Sequence, residues 1–170
     1  MFDTALHHLK SPENVGIIVR AHVALGGRRL VVVGPDPWRF KKRSQAFSRK
    51  LENICEIVHL ADDDAFFCWC EREAVSPVAI EIATPPVFLH EFQFPPHPIL
   101  VVGNEGRGLS PEFLWRCQGT VTIPQYGPTA CLNSAVSCCI GMYEVVHRRS
   151  EMATIRGHRY VTTRQEKRTV

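Results

Sequence analysis

Short apolar runs alternate along the chain with segments in which apolar positions recur every three or four residues. The runs predict six strands, over residues 2–9, 29–34, 54–59, 78–83, 99–103 and 120–123. The other segments predict helices over residues 11–25, 62–74 and 131–148, and a helical basic segment within residues 38–51. Because strands and helices alternate, we expect an α/β fold, a mostly parallel sheet with helices on both faces.

The helix predicted over residues 131–148 has two different faces. Its apolar stripe, which we expect to face the core, consists of Leu132, Ala135, Val136, Cys139, Ile140, Tyr143 and Val146. The other face carries small side chains, at Ser134, Ser137, Cys138 and Gly141. Small side chains let another backbone come close. The pattern leaves open whether that backbone belongs to a second copy of the chain, to a neighbouring loop, or to ordinary core packing.

Composition favours one globular domain in a reducing compartment. The chain has 170 residues, of which 45% are hydrophobic and 22% charged. No apolar run reaches the ~18 residues of a membrane span, and the first ten residues lack the features of a secretory signal. Seven cysteines without a C-x-x-C pair suit free thiols. We therefore expect a cytoplasmic protein without membrane contact.

Several common site motifs are missing from the sequence. It contains neither the G-x-x-x-x-G-K-[ST] phosphate loop nor the G-x-S-x-G elbow of hydrolases. The eight histidines show no H-x-x-x-H or H-E-x-x-H spacing, so we expect no metal. The glycines of residues 103–108 are spaced G-x-x-G-x-G, the reverse of the dinucleotide fingerprint.

Basic residues cluster in two segments, although the net charge is only +3. Residues 38–51 hold six Lys/Arg and no acid, and residues 147–170 hold seven against two acids. Basic clusters on an otherwise acidic chain favour a nucleic-acid partner; a solvated helix face and a flexible tail are the alternative. We divide the chain into a domain over residues 1–150 and a flexible basic tail over residues 151–170. The candidate RNA-binding residues are Lys41, Lys42, Arg43, Arg49 and Lys50.

Two segments combine glycine with residues that carry chemistry. Residues 14–20 read N-x-G-x-x-x-R, where Gly16 leaves room beside Arg20 on one helix face. Residues 103–111 place three glycines and Glu105 at the carboxyl end of a buried strand, where open α/β sheets bind ligands. Glu105 can hold a helix end or accept hydrogen bonds from a substrate.

A third segment, residues 123–133, is a Pro/Gly loop that ends at Asn133, whose amide both donates and accepts. In this order, N-x-G-x-x-x-R, G-N-E-G-x-G-L-S and I-P-x-x-G-x-x-x-C-L-N resemble the motifs of the SpoU/TrmH family of SPOUT RNA methyltransferases, over residues 2–148. The resemblance implies a C-terminal deep trefoil knot, a homodimer with the active site at its interface, and S-adenosyl-L-methionine as methyl donor. It also implies methylation of a ribose 2′-hydroxyl in tRNA or rRNA, and the shortness of the chain favours tRNA.

Carried over by position, the resemblance also implies site residues. The catalytic candidates are Asn14, Arg20, Glu105 and Asn133. The donor contacts, mostly through backbone, are Ala83, Thr84, Gly103, Ile123 and Leu132. Arg20 either activates the ribose hydroxyl or, as we prefer, binds the neighbouring phosphate and favours the developing alkoxide, since a guanidinium with a pKa above ~12 is a poor base. Cys131 stands where the family usually has serine. The alternatives are a knotted RNA-binding protein without catalysis, and methylation of a base.

Overall fold

Six parallel strands form one sheet in the computed structural model, which describes residues 1–34 and 42–148. The strands are β1 (Asp3–His7), β2 (Arg29–Val33), β3 (Glu56–Leu60), β4 (Ser76–Ile80), β5 (Pro98–Val102) and β6 (Gly119–Val121). Their order across the sheet is β3-β2-β1-β5-β4-β6, and every pair is parallel. The α/β expectation is confirmed, while the trefoil knot stays a prediction. Lys41 and the tail over residues 151–170 lie outside the described residues.

Helices cover both faces of this sheet. In the described ranges they are α1 (Pro12–Ala24), α2 (Lys42–Ser48), α3 (Asp63–Arg72), α4 (Pro111–Arg116) and α5 (Ser134–His147), with a 3-10 turn at Leu51–Ile54. α1 and α5 share one core with Leu30 and Leu100, and α3 and α4 share the other with Val31 and Val101. Neighbouring residues of one strand serve opposite cores, because successive side chains point to opposite faces. No helix within these ranges is long and apolar enough to cross a membrane.

α1 begins as its sequence predicts and packs closely on α2. The Ser11 hydroxyl accepts a hydrogen bond from the Asn14 N–H, and Pro12 occupies the first turn. A β-carbon at Gly16 would collide with the Ser44 carbonyl oxygen and with Phe47. The room at Gly16 is therefore occupied by α2 of the same chain.

β4 ends three residues earlier than predicted. The apolar alternation continues to residue 83, but the strand stops at Ile80 and Ile82 is 52% exposed. β6 pairs with the outer edge of β4 and has only three residues. Beyond Ile80, β4 therefore has no further residue of β6 to pair with. Beyond the strand the Ala83 N–H donates to the Thr122 hydroxyl at 3.2 Å.

The predicted core stripe of the last helix is confirmed at Ala135, which is buried, and at Val146, which packs against the core, but it is wrong for its exposed members. α5 starts at Ser134, and its larger apolar residues Val136, Ile140 and Tyr143 are 45%, 36% and 58% exposed. The buried face consists of Ala135, Cys138, Gly141, Met142 and Val145. It joins two small residues of the other face, Cys138 and Gly141, with larger side chains, and a β-carbon at Gly141 would collide with Ile80 of the sheet. Of the three alternatives left open by the sequence, packing in the core of the same chain is what the structure shows.

Candidate active site

A cavity of about 420 Å³ opens at the carboxyl ends of β4, β5 and β6. Its wall is built by the residues that follow these strands and by the first turn of α5. They are Ile80, Glu81, Ile82, Val102, Gly103, Asn104, Glu105, Gly106, Arg107, Gly108, Ile123, Gln125, Cys131, Leu132, Asn133, Ser134 and Ser137. The volume is within the range of small-molecule sites, and the position is where open parallel sheets bind ligands. Two of the three motif segments meet here.

Glu105 ties the loop after β5 to the start of α1. Its carboxylate accepts hydrogen bonds from Lys10 N–H at 2.9 Å, Ser11 N–H at 3.0 Å and the Asn14 amide at 2.9 Å. Partial burial opposes ionisation, but these donors outweigh it and hold the pKa of Glu105 below its usual value. Of the two roles that the sequence left to Glu105, holding a helix end is the one that the structure shows.

Asn14 extends this network to the start of α5. The Asn133 amide N–H donates to Asn14 Oδ1 at 3.1 Å, and Asn14 Nδ2 also donates to the Ser134 hydroxyl at 3.3 Å. Asn133 Oδ1 caps α5 by accepting from the N–H groups of Ala135 and Val136. The side-chain oxygen of Asn133, which the sequence offered for reading a ligand, is therefore used by the protein itself.

Glu81 fixes the other end of the glycine loop, and sequence reasoning missed it. Its carboxylate accepts a hydrogen bond from the Leu109 N–H at 3.0 Å and another from the Ile82 N–H at 3.0 Å. Gly108 has φ +65° and a β-carbon there would collide with this carboxylate. Two features therefore require glycine at position 108: the left-handed backbone conformation, and the Glu81 carboxylate that occupies the space of a β-carbon.

One polar atom of the cavity wall has no partner. The side-chain oxygen of Gln125 is shielded from solvent and accepts no hydrogen bond from the described residues. Apolar residues of the wall include Ile123 and Leu132. They offer a surface for a flat apolar ligand, whereas the shielded oxygen of Gln125 is not presented to the cavity.

The structure separates the predicted donor contacts into two sets. Gly103, Ile123 and Leu132 line the cavity. Ala83 and Thr84 do not, because β4 ends at Ile80 and the chain has turned away before reaching them; Glu81 and Ile82 occupy the wall instead. Cys131, at the position of the family's serine, is exposed and lines the opening.

Arg20 lies outside this cavity. It projects from the exposed side of α1 into a second depression lined by Ile17, Arg20, Ala21, Ala24, Ala46, Phe47, Arg49 and Cys139. The other three catalytic candidates form one hydrogen-bonded group with the cavity wall, whereas Arg20 forms no hydrogen bond or ion pair with a residue that the structure describes. A salt bridge on the surface of α1, the ordinary structural explanation for such an arginine, is thus absent from the described residues.

The predicted RNA-binding residues that the structure describes lie on and just after α2. Lys42, Arg43, Arg49 and Lys50 are all exposed. Arg43 Nε is 3.0 Å from Glu13 Oε1 at the start of α1. Arg49 shares the second depression with Arg20, so one of the predicted RNA contacts and one catalytic candidate face the same opening.

His7, His8 and Asp63 form a separate cluster at the end of β1. One candidate ligand atom from each lies within 4.8 Å of the other two. His7 Nε2 is 2.8 Å from Asp63 Oδ1, a hydrogen-bond distance and shorter than the roughly 3.3 Å between two ligands of a tetrahedral zinc ion. Burial lowers the pKa of His7 more than Asp63 raises it. The arrangement is that of a hydrogen-bonded pair with a neighbouring histidine, and the expected absence of a metal stays a prediction.

Comparison with known proteins identifies relatives over nearly the whole described fold. The model of the SpoU rRNA Methylase family matches residues 2–143. A 23S rRNA (uridine(2479)-2'-O)-methyltransferase from Streptomyces viridochromogenes is 31% identical over 145 residues, covering 82% of this chain and 50% of that protein. The chain thus spans about half the length of the curated relatives it matches.

Solved structures agree with this assignment. The SpoU methyltransferase AviRb from Streptomyces viridochromogenes, in complex with the cofactor AdoMet, superposes with a TM-score of 0.79 and 27% identity, over 87% of this chain and 57% of that one. A structure described as giving insight into 2-OH methylation of C/U34 on tRNA superposes with a TM-score of 0.78 and 25% identity, over 89% of this chain and 97% of that one. The family resemblance of the three motifs is confirmed, and the chain belongs to the SpoU rRNA Methylase family.

Proposed function

We propose that this protein transfers a methyl group from S-adenosyl-L-methionine to a ribose 2′-hydroxyl of RNA. The observation that carries the proposal is the cavity at the strand ends, whose wall is made by the family motifs and stabilised by the Glu105–Asn14–Asn133 hydrogen bonds. Its apolar wall residues, among them Ile123 and Leu132, fit the adenosyl part of that donor.

When bound, S-adenosyl-L-methionine supplies a methyl group on a sulfonium, and the ribose oxygen displaces the sulfur in line. The task of the protein is to place the hydroxyl and to favour its loss of a proton. Arg20 suits this task because its guanidinium has no partner among the described residues and can bind two oxygens of the adjacent phosphate. We propose Arg20 as the anchor of the RNA phosphate and the stabiliser of the developing alkoxide.

In this proposal, Arg20 of one copy of the chain lies at the donor cavity of a second copy. Arg20 and the cavity belong to different depressions of one chain. Ile17 of α1 and Phe47 of α2 are exposed and line the depression of Arg20, and α5 carries three further exposed apolar side chains, Val136, Ile140 and Tyr143. α1 and α5 contact each other, and Cys139 of α5 lines the depression of Arg20. We propose that this surface, called the outer apolar face below, joins two copies and completes the site.

RNA is held, in this proposal, by Lys42, Arg43, Arg49 and Lys50 together with Arg20. These cations are exposed, and Arg49 opens onto the same depression as Arg20. The substrate is tRNA or rRNA, since relatives act on each. All seven cysteines are free thiols, which supports a cytoplasmic location.

The test is a methyl-transfer assay with labelled S-adenosyl-L-methionine on total tRNA and on rRNA, followed by nucleoside mass spectrometry. We expect a 2′-O-methylated nucleoside from one of the two RNA classes. A methylated base would reassign the chemistry to the base. RNA binding without donor binding at millimolar concentration would favour the non-catalytic RNA-binding alternative, with Cys131 as the first residue to restore to serine.

A further inference from the structure

Tyr126 is the most exposed of the large apolar and aromatic side chains that the structure describes. It is 95% exposed, and it forms neither a hydrogen bond nor a ring contact with a described residue. A single exposed apolar side chain is ordinary on a protein surface. Any role of Tyr126 therefore has to follow from its position in the fold.

The position of Tyr126 is the mouth of the cavity at the strand ends. It directly follows Gln125, which belongs to the cavity wall, and the same loop returns to the wall at Cys131. Residues 126–131 are all exposed, and a β-carbon at Gly127 would meet nothing within 4 Å. The tip of this loop thus stands clear of the described chain and carries an aromatic ring beside the opening.

The neighbouring loop makes the rim apolar on a second side. β4 and β6 are paired, and beyond them the Ala83 N–H donates to the Thr122 hydroxyl, so the loops that follow both strands adjoin each other. Ile82 belongs to the cavity wall and is 52% exposed. Two adjoining loops therefore carry exposed apolar side chains at the opening, Ile82 on one and Tyr126 on the other.

A ribose that reaches the cavity brings its base to this opening. The reacting 2′-oxygen is bonded to C2′, and the base is attached to the adjacent carbon, C1′. When the 2′-oxygen meets the methyl group of the donor, the base has to lie at the mouth of the cavity. A base taken out of its stack in RNA loses stacking energy, which an aromatic side chain can replace.

We propose that the ring of Tyr126 stacks on the base of the nucleotide that is methylated. The inference rests on the proposed function, and it adds a contact with the base to the phosphate contacts of Arg20 and the other cations. Stacking tolerates every base, because each base has a π face. Tyr126 therefore holds the target nucleotide in place without reading its identity.

The experiment compares two substrates on four proteins. The substrates are the RNA that the methyl-transfer assay identifies, and the same RNA with an abasic ribose, which keeps its 2′-hydroxyl, at the target position. The proteins are the wild type, Tyr126→Leu, which removes the ring but keeps an apolar side chain, Tyr126→Phe, which keeps the ring, and Trp115→Leu. Trp115 is 81% exposed on α4 and does not line the cavity, so its variant is the matched control for loss of an exposed ring.

On the intact RNA, we expect Tyr126→Leu to lower kcat/KM about tenfold and Tyr126→Phe to recover most of that loss, while Trp115→Leu matches the wild type. On the abasic RNA, Tyr126→Leu and the wild type should be equal, because the ring has no base to stack on. Calorimetry with S-adenosylhomocysteine should give the same donor affinity for all four proteins, and light scattering the same mass.

Four results would refute the base contact while the proposed function stands. They are full activity of Tyr126→Leu on the intact RNA, an equal loss on both RNAs, a weakened donor affinity, and a lowered mass that assigns Tyr126 to a contact between copies of the chain. If the wild type methylates no ribose in either RNA class, the proposed function fails and this inference fails with it.

Discussion

The two sides of α1 differ in how completely their polar groups are satisfied. On the inner side, Asn14 makes hydrogen bonds with Glu105, Asn133 and Ser134, and every partner belongs to the same chain. On the outer side, Arg20 has no ion-pair partner in the described residues and stands among exposed apolar side chains. The hydrogen bonds of Asn14 on the inner side are all made within one molecule, although His22 Nε2 on that side has no partner among the described residues. The outer side offers a charge and an apolar surface to another molecule. In the proposed dimer, the donor binds to residues of one chain, and the ribose hydroxyl of the RNA is activated by Arg20 of the other.

Removal of Arg20 gives the largest expected effect. Arg20→Ala is expected to reduce methyl transfer by a factor of roughly 100–1000, because phosphate anchoring and alkoxide stabilisation are lost together. The dissociation constant of the donor should stay unchanged, since Arg20 is outside the cavity. Arg20→Lys should recover little, because lysine lacks the planar fork. Arg72→Ala, at an exposed arginine on α3, is the control. Substantial turnover by Arg20→Ala would assign the outer side a purely structural role.

A charge in the outer apolar face should separate the two copies. Ile140→Asp places a carboxylate in a surface that the dimer would bury, and we expect monomers by light scattering at micromolar concentration, with methyl transfer lowered about a hundredfold. Donor binding should persist. Ile54→Asp, at an isoleucine that is 74% exposed elsewhere, is the matched control and should leave the assembly intact. A wild-type protein that is already monomeric would remove the outer apolar face from the site.

The burial of His22 on the inner side of α1 should make the free energy of unfolding depend on pH. Burial lowers the pKa of His22 to about 4, against 6.5 for the ordinary side chain. The unfolded chain therefore binds a proton first as the pH falls below 6.5, and stability is lost until the pH reaches about 4. From pH 7.5 to pH 5 we expect a loss of about 2 kcal/mol from this residue in urea unfolding. His22→Gln should remove this part of the pH dependence of stability. If the variant keeps the pH profile of the wild type, His22 is hydrated or charged in the folded protein.

The smallest effect concerns the cations of α2. Replacing Lys42 and Arg43 together with alanine should weaken RNA binding independently of sequence and flatten its logarithmic salt dependence by about 1.5. Donor affinity should not change, because neither residue lines the cavity. Arg72→Ala is again the comparison. A salt dependence equal to that of the wild type would move the RNA contact away from Lys42 and Arg43 and leave Arg20, Arg49 and Lys50 as the described candidates.

Sequence patterns predicted the strands and the start of α1 because local rules determine them. β2 and β5 are buried on both faces and read as continuous apolar runs, and Ser11–Pro12 is a local signal for a helix start. Glu81 was not predicted as a site residue, because its role depends on loops that meet only in the folded chain. The predicted strand over residues 78–83 placed Glu81 inside the strand, and its available signal was a carboxylate within an otherwise apolar run.

The face of α5 was mispredicted because apolar residues occur on more than one side of this helix. Ala135, Cys138, Met142 and Val145 are inside, with Gly141 against Ile80, whereas Ile140 and Tyr143 are outside. The end of β4 was mispredicted since it depends on the length of its neighbour β6. Neither property is written in the local pattern of its own segment.

The three hydrogen bonds to Glu105 give α1 a mechanical property. The helix is clamped at its first turn to the loop that borders the cavity, and Arg20 stands six residues further on, about 9 Å along a stiff rod. Because α1 also packs against α2 and α5, a displacement of its clamped first turn would move Arg20 together with the rest of the helix. Any such leverage acts in both directions, and RNA engaged at Arg20 must alter donor affinity by the factor by which the donor alters RNA affinity.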